Sequence, residues 1–438
     1  MNVIYMHTHD SGRFWQPYGY PVNMPHISGL AREGMLFRNA YCAAPTCSPS
    51  RSAMLTGQSA HSSGMLGLTH RGFDLANPQQ HLAHFLQAKG YETTLCGVQH
   101  EARDAQTLGY TRLLPSAPGN KGMVAMDLEN AQTVASYIRE KHHVPFFLSF
   151  GMMNTHRPYP SHVDSGINAD YLMPPWPLMD SADNRSDMAD YYYAAQTVDK
   201  CVGEVLRALQ DTNLMDDTIL LMTTDHGIAW PFMKCSLYDT GIGVALIMRV
   251  PGMHRDLHVS DQLVSQTDIF PTLCDLLHLE KPSWLQGVSL LPVLEKNEAV
   301  RNEIFAEVNY HSSYEPKRCI RTERYKLIVR YDDYLGVVAT NIDPSPSKDF
   351  LRDAGYLDTL HPREELYDLW IDPAERNNLI HDSRYLPVYH DLLVRLTRWM
   401  EATDDPLLRY RFRIPRPQGA KISLKTAYVQ SDPVYEQD

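Results

Sequence analysis

The sequence predicts an α/β protein in which a mostly parallel sheet carries helices on both faces and a smaller α+β region follows. Short buried apolar runs alternate with helical patterns over about the first 280 residues, which is typical of successive βαβ units. After about residue 300 the sequence changes to short runs in which apolar and polar residues alternate, followed by one more helical pattern. Polar residues directly follow five of the predicted strands, and open α/β sheets place their sites at such strand ends.

The elements follow from hydrophobic spacing, taken in chain order. In the first region we predict strands at 2–8, 37–42, 91–98, 144–152, 218–224 and 243–250, the last two both of the parallel type. Helices are predicted at 24–33, 79–89, 127–142, 184–211 and 267–278. The second region predicts a strand pair at 319–331, a strand at 365–369 and a helix at 386–400. We therefore expect a catalytic domain at 1–300, an α+β subdomain at 301–405 and an extended tail at 406–438 that reaches a partner in a homo-oligomer.

Composition narrows the functional classes. The 438 residues carry a net charge of −12, which argues against nucleic-acid binding because that requires a basic surface. No apolar run approaches the roughly 18 residues of a membrane span, and the N-terminus lacks the basic region of a signal peptide. The seven cysteines form no Cys-x-x-Cys pair, which is typical of reduced thiols. We expect a cytoplasmic protein that binds a small anionic substrate, with neither nucleic acid nor membrane as a partner.

The stretch from Pro45 to Gly57 places Cys47 where a helix is predicted to begin. Proline suits the first turn of a helix, and the free backbone N–H groups there favour an anion or a developing oxyanion. Arg51 follows one turn later and could hold such an oxyanion in its fork. A merely buried thiol is the alternative. Cys201 and Arg207 have the spacing of thiol phosphatases, but they fall within an amphipathic helix without a glycine-rich loop.

Charged and imidazole side chains at the other strand ends complete the candidate site. Asp10 and the pair Asp225-His226, with His9 as a weaker candidate, offer the carboxylate and imidazole ligands of a divalent metal. Transfer of a sulfuryl or phosphoryl group also needs cations and a proton donor. The candidates for those roles are His100, His156, Arg157 and Lys234.

Several motifs resemble those of the formylglycine-dependent sulfatases, a family of the alkaline phosphatase superfamily. Cys47-Ser48-Pro49-Ser50-Arg51 with the later Leu55-Thr56-Gly57 is similar to the family's maturation motif. The segment 90–97 resembles its second motif, and Asp225-His226-Gly227 resembles its second metal-binding element. The segment 234–241 and the pattern at 365–379 look most like N-sulfoglucosamine sulfohydrolases. The resemblance covers about residues 2–405 and implies an alkaline-phosphatase-like core.

This resemblance implies a sulfuric ester hydrolase acting on a sulfate ester or sulfamate, with a sulfated sugar as the substrate class. It implies that a maturation enzyme oxidises Cys47 to formylglycine, whose hydrate is the nucleophile, and that Arg51 holds this hydrate. Asp10, Asp225 and His226 would bind Ca²⁺ or another divalent ion. His100 would aid collapse of the hemiacetal, while His156 and Lys234 would contact the sulfate and protonate the leaving oxygen.

Two positions depart from the family pattern. His9 stands where the family has a first aspartate, which makes Mn²⁺ or Zn²⁺ more plausible beside Ca²⁺. Val98 stands where the family has a lysine that touches nucleophile and sulfate, so we expect Gln99 or Arg157 to replace it, a changed substrate, or weakened activity. The alternatives are a phosphonate monoester or phosphodiester hydrolase of the superfamily and a catalytically degenerate binding protein.

Overall fold

The fold is built around one eight-stranded sheet, seen in a computed structural model that describes residues 1–253, 258–410, 413–431 and 434–436. In these ranges the strands are β1 (Asn2–Thr8), β2 (Met35–Phe37), β3 (Ala40–Tyr41), β4 (Glu92–Gly97), β5 (Arg112–Leu113), β6 (Phe146–Gly151), β7 (Thr218–Thr224), β8 (Leu246–Arg249), β9 (Val259–Ser260), β10 (Val264–Ser265), β11 (Glu303–Tyr310), β12 (Tyr314–Thr322), β13 (Tyr325–Arg330) and β14 (Glu364–Asp368). The α-helices are α1 (Pro25–Glu33), α2 (Cys47–Thr56), α3 (Ala60–Ser63), α4 (Leu82–Ala88), α5 (Met123–Ile138), α6 (Ala182–Asp211), α7 (Asp239–Ile242), α8 (Ile269–Leu276), α9 (Leu291–Lys296), α10 (Pro346–Asp353) and α11 (Leu386–Ala402).

The main sheet has the order β5-β4-β6-β1-β7-β8-β2-β9, and β5 through β7 are parallel. All seven residues of β1 are buried, because a central parallel strand is covered on both faces. Val3 and Tyr5 enter one core with α2, α4 and α8, whereas Ile4 and Met6 enter the other with α1, α5 and α6. The side-chain period of two thus divides one strand between two helical layers, and the predicted mostly parallel sheet is confirmed.

Two of the predicted strands differ from the structure. The run at 243–250 was expected to be parallel like 218–224, but β8 is antiparallel to both β7 and β2. The chain leaves β7, builds a loop at the same edge of the sheet and re-enters there, whereas a parallel strand requires a crossover to the opposite edge. The run at 37–42 is divided between β2, in the main sheet, and β3, which pairs with β10.

The second sheet is antiparallel, with the order β11-β12-β13-β14. Helix α11 covers it through Leu392, Leu396 and Met400, as the apolar spacing of 386–400 predicts. Strand β11 escaped prediction because Glu307 and Asn309 interrupt its apolar pattern although both are buried. A smaller α+β region after about residue 300 is therefore confirmed, while the domain boundaries stay predictions.

The described part of the tail folds back on its own chain. Ile414 and Ile422 are buried, Ser423 donates its backbone N–H to the Ser312 carbonyl at 2.8 Å, and Gln430 Nε2 donates to Asp343 Oδ1 at 3.1 Å. The described residues of the predicted arm thus pack against their own subunit. The homo-oligomer formed through this tail stays a prediction. Residues 411–412, 432–433 and 437–438 of the predicted tail, and 254–257 of the predicted catalytic domain, lie outside the described residues.

Two further sequence expectations concern cysteines and membranes. All seven cysteines are free and buried. Among the described helices, we find none with the length and apolar character needed to cross a bilayer.

Candidate active site at the carboxyl edge of the sheet

Four neighbouring parallel strands and one helix bring the candidate residues together. Strands β4, β6, β1 and β7 end at the same edge of the sheet, and His100, His156, Asp10 and Asp225 lie just beyond those ends. Helix α2 adds Cys47 at its first position, and every residue of α2 is buried. The predicted convergence of strand-end residues is therefore what the fold produces.

Cys47 lies in the middle of this group. Its Sγ is 3.3 Å from His226 Nε2 and 3.9 Å from Asp10 Oδ1, and the residue is 4% exposed. Burial raises the pKa of the Cys47 thiol, although Lys234 opposes that shift. A reactive thiolate would instead require a lowered pKa. Cys201, the alternative thiol, is also not a reactive thiolate, because it is buried within α6 and burial raises its pKa.

Arg51 anchors the carboxylate of Asp225 from within α2. Its Nη2 donates to Asp225 Oδ2 at 2.9 Å and to the Thr8 carbonyl at 2.7 Å, and Nη1 contacts His7 Nδ1. The Asp10 backbone N–H donates to the other oxygen of Asp225 at 2.8 Å. Burial alone would raise the pKa of Asp225, but His226 and Arg51 outweigh it and hold that pKa below its usual range.

The hydrogen-bond partners of the two ring nitrogens of His226 indicate a cation site. Its Nδ1 is 3.0 Å from the Gly227 carbonyl, which only accepts, so Nδ1 carries a hydrogen, and in the neutral ring that binds a metal Nε2 offers the lone pair. Nε2 is 3.4 Å from Asp10 Oδ1 and 3.7 Å from Asp225 Oδ2. Three lone-pair donors face one another in a buried space, and a divalent metal is the group that such atoms bind.

His9 is fully buried, and its ring nitrogens lack hydrogen-bond partners. Its Nδ1 is 3.5 Å from Asp225 Oδ2 without hydrogen-bond geometry. A buried polar group normally has a partner, so each exception needs an explanation. His9, Asp10, Cys47 and Asp225 each offer a ligand atom within 4.8 Å of the others. The residues present therefore fit the predicted divalent metal.

Lys234 lies between two carboxylates that are far apart in the sequence. Its Nζ is 2.9 Å from Asp10 Oδ2 and 3.3 Å from Asp343 Oδ2. Burial would lower the pKa of Lys234, but Asp10 and Asp343 reverse that effect and raise it well above its ordinary value. Asp343 belongs to the loop between β13 and β14, and sequence reasoning missed it because that loop carries no motif.

His156 and Arg157 follow β6, and the structure separates their roles. His156 Nδ1 is 2.5 Å from the Arg157 carbonyl, so this nitrogen carries the hydrogen and Nε2 is free to exchange a proton. The Arg157 guanidinium instead binds Asp187 with both Nη atoms and the Ala229 carbonyl through Nε. Three of the five N–H donors of Arg157 are thus engaged within the protein, and its role in substrate binding stays a prediction.

Val98 lines an open cavity that reaches Ser48, the residue after Cys47. The cavity has a volume of about 600 Å³, and its wall includes Ser48, His70, Val98 and His100. The Gln99 amide is engaged locally, since Nε2 donates to the Ala102 carbonyl at 2.5 Å and Oε1 accepts from the Glu101 backbone N–H at 2.5 Å. Which side chain takes the place of the family's lysine stays a prediction, and position 98 itself is apolar.

His100 and His7 are imidazoles held neutral by the protein interior. Burial, reinforced by Arg51, lowers the pKa of His100 to about 3, and the ring packs edge-on against His9 with centroids 4.7 Å apart. His7, which sequence reasoning missed, packs between Arg51 and Ser149. A polar residue two positions before His9 in a buried strand was the signal for it, since both face the same side.

Fold and site together match a hydrolase that has an alkaline-phosphatase-like core and a carboxylate and imidazole cluster able to hold a metal. The family model for sulfatases matches residues 2–279, and a model for the C-terminal region of N-sulphoglucosamine sulphohydrolases matches residues 225–362. The chain belongs to the sulfatase family and is a sulfuric ester hydrolase. The predicted family and enzyme class are thereby confirmed, whereas the conversion of Cys47 to formylglycine stays a prediction.

Similar proteins include two curated relatives. An ulvan-active sulfatase from Formosa agariphila is 28% identical over 91% of this chain and 79% of its own length. The human N-sulphoglucosamine sulphohydrolase is 28% identical over 88% of this chain and 86% of its own.

Two solved structures share the fold. BT4656, solved with its substrate D-glucosamine-2-N,6-O-disulfate, has a TM-score of 0.74 at 20% identity over 92% of this chain and 98% of its own. A phosphonate monoester hydrolase from Agrobacterium radiobacter has a TM-score of 0.69 at 19% identity over 91% of this chain and 95% of its own. That likeness shows a common fold alone and does not favour the phosphonate alternative.

Proposed function

We propose that the chain hydrolyses a sulfate ester or sulfamate of a sulfated sugar, using formylglycine made from Cys47 and a divalent metal. Asp10, Asp225, His226 and His9 would hold the metal, with Ca²⁺ the first choice and Mn²⁺ or Zn²⁺ as competitors. Such a metal supplies charge stabilisation at the transferring group when it is bound. Formylglycine supplies an oxygen nucleophile in place of the thiol.

The charge count of the site carries this proposal. Three buried carboxylates (Asp10, Asp225 and Asp343) face two buried cations, Arg51 and Lys234. The cluster therefore has one net negative charge, which repels an anionic substrate at close range. A divalent cation reverses the sign, so the loaded site attracts one sulfate monoanion.

The chain's own residues then have separable tasks. Arg51 fixes Asp225 and relieves its charge, and Lys234 does the same for Asp10 while lying close enough to contact a bound anion. His156 is the candidate proton donor, because its Nδ1 is fixed on the Arg157 carbonyl and Nε2 is left for proton transfer. The cavity beside Val98 has the volume of a small-ligand site and would accept the sugar.

The substrate class rests on the relatives. The human relative is named for N-sulphoglucosamine, and BT4656 was solved with a glucosamine carrying 2-N and 6-O sulfates. We propose a sulfated hexosamine as the substrate of this chain and place its ring in that cavity. The apolar Val98 would contact the sugar ring there rather than a second anionic group.

One peptide tests the maturation step with an internal control. Trypsin releases residues 39–51, which contain both Cys42 and Cys47. After co-expression with a formylglycine-generating enzyme, we expect Cys47 to have become an aldehyde and Cys42 to remain a thiol. Two unmodified thiols, with no turnover of any substrate, would reject the hydrolase mechanism and favour the degenerate binding protein.

Turnover then ranks the enzymatic alternatives. The converted protein should cleave glucosamine carrying a 2-N-sulfate or 6-O-sulfate faster than an aryl phosphonate monoester. Cys47→Ala should abolish turnover, whereas Cys42→Ser should retain it because Cys42 lies outside the cluster. Faster cleavage of the phosphonate would overturn the substrate proposal while leaving the fold assignment intact.

A further inference from the structure

Cys47 belongs to a second group of ligand atoms besides the carboxylate cluster. Its Sγ, one ring nitrogen of His9 and one of His100 all lie within 4.8 Å of one another. His9 is 0% exposed, and neither of its ring nitrogens has a hydrogen-bond partner. A fully buried imidazole without a hydrogen-bond partner, in contact range of a thiol and a second imidazole, points to a missing ligand.

The donor atoms of this group select the class of metal. One sulfur and two imidazole nitrogens are the ligands of Zn²⁺ and similar soft cations, whereas Ca²⁺ takes oxygen ligands. Ligand atoms around a tetrahedral zinc ion lie about 3.5 Å apart, given bonds of about 2.0–2.3 Å. The observed spread of up to 4.8 Å therefore has to contract by about 1 Å, which rotation of a side chain about its χ angles provides.

An entry path leads to the group. His100 lines the cavity of about 600 Å³ beside Val98, and its ring stacks edge-on against His9 with centroids 4.7 Å apart. A hydrated cation can thus reach His100 from the cavity and lose water as it passes to His9 and Cys47. Water from the cavity can fill the fourth position of the metal.

We propose that the unconverted chain binds one Zn²⁺ or similar soft cation through the Cys47 thiolate, His9 and His100. Binding forms one metal–sulfur and two metal–nitrogen bonds, and the thiol proton leaves to solvent. Conversion of Cys47 would remove the sulfur and with it this site, so the site belongs to the thiol form. The proposal concerns a form without the nucleophile and therefore does not depend on the hydrolytic activity.

Co²⁺ is the probe, because it replaces Zn²⁺ with the same geometry and absorbs light. The full chain is prepared without the maturation enzyme, and the peptide 39–51 verifies that Cys47 is a thiol. We expect one Co²⁺ per chain, with a thiolate-to-cobalt charge-transfer band and the intense visible absorption of a four-coordinate ion. Zn²⁺ should displace Co²⁺ stoichiometrically, whereas a large excess of Ca²⁺ should leave the spectrum unchanged.

Variants assign the three ligands. Cys47→Ser should abolish the charge-transfer band, and His9→Ala or His100→Asn should lower Zn²⁺ affinity by at least about tenfold, since even outer partners of metal ligands cost about 10–100-fold. The matched controls are Cys42→Ser and His70→Ala, and both should keep the band because neither residue belongs to the group. Thermal unfolding of each metal-free variant establishes that it is folded.

Three results would overturn the proposal. The first is the absence of a charge-transfer band in a chain shown to carry the Cys47 thiol. The second is a band that persists at full strength in His100→Asn, which would move the ion to the carboxylate cluster. The third is displacement by Ca²⁺, which would show that oxygen ligands dominate. Each result leaves the sulfatase proposal standing, since that proposal is tested on the converted form.

Discussion

Replacing His9 with aspartate tests the metal site through electrostatics. An aspartate Oδ would lie near the position of His9 Nδ1, which is 3.5 Å from Asp225 Oδ2. Two carboxylates at that separation repel each other by at most about 5 kcal/mol at an effective dielectric constant of about 20. A bound dication converts this repulsion into attraction, so Ca²⁺ affinity should rise by up to about three orders of magnitude.

The assay compares His9→Asp with His9→Asn, which has nearly the same shape and no charge. In EDTA the Asp variant should have the lowest thermal midpoint of the three proteins. In Ca²⁺ it should gain the most, and calorimetric titration should show its tighter binding. If the Asp and Asn variants have equal midpoints in EDTA and equal gains in Ca²⁺, the placement of His9 in the metal site is wrong.

Two further predictions concern buried charges outside the nucleophile. Asp343→Asn should lower kcat/KM and cost about 1–3 kcal/mol of stability, because Lys234 loses one of its two carboxylate partners. Sulfate release measures kcat/KM, and chemical unfolding measures the stability. An unchanged kcat/KM would contradict this prediction. Glu307 is buried against His61 and Arg318; burial would raise its pKa, but these two neighbours hold it below the ordinary value of 4.5. The stabilisation that the Glu307 carboxylate provides is thus complete above pH 4.5 and is lost as pH falls below that value. The wild type should therefore lose more stability than Glu307→Gln on acidification. Parallel plots of thermal midpoint against pH for the two proteins would count against the ion pair.

Elements with a single, uninterrupted hydrophobic period could be predicted from the sequence. Strand β1 and helix α6 have uninterrupted periods, and both end within two residues of the expected positions. Strand β11 does not, because its buried Glu307 is satisfied by residues far away in sequence. The direction of β8 was also beyond prediction, since it depends on where the preceding loop re-enters the sheet.

The candidate site divides in the same way. Strand ends and the Cys47 motif located Asp10, Asp225 and His226, because topology brings parallel strand ends together. The pairing of Arg157 with Asp187 was beyond prediction, because the sequence gives no sign that the two residues meet. Asp343 was missed because a lone aspartate in a loop gives no local signal, and its role follows only from its approach to Lys234.

The burial of helix α2 has a consequence for the order of events during synthesis. Cys47 is 4% exposed and every residue of α2 is buried, so a modifying enzyme can reach this motif only before the surrounding chain has folded. The printed sequence continues for 391 residues after Cys47. At about 5–20 residues per second, a ribosome needs roughly 20–80 s to add them. If Cys47 is converted as proposed, the enzyme has at least that interval to act, and slowing translation downstream of Cys47 should raise the fraction of chains that carry an aldehyde.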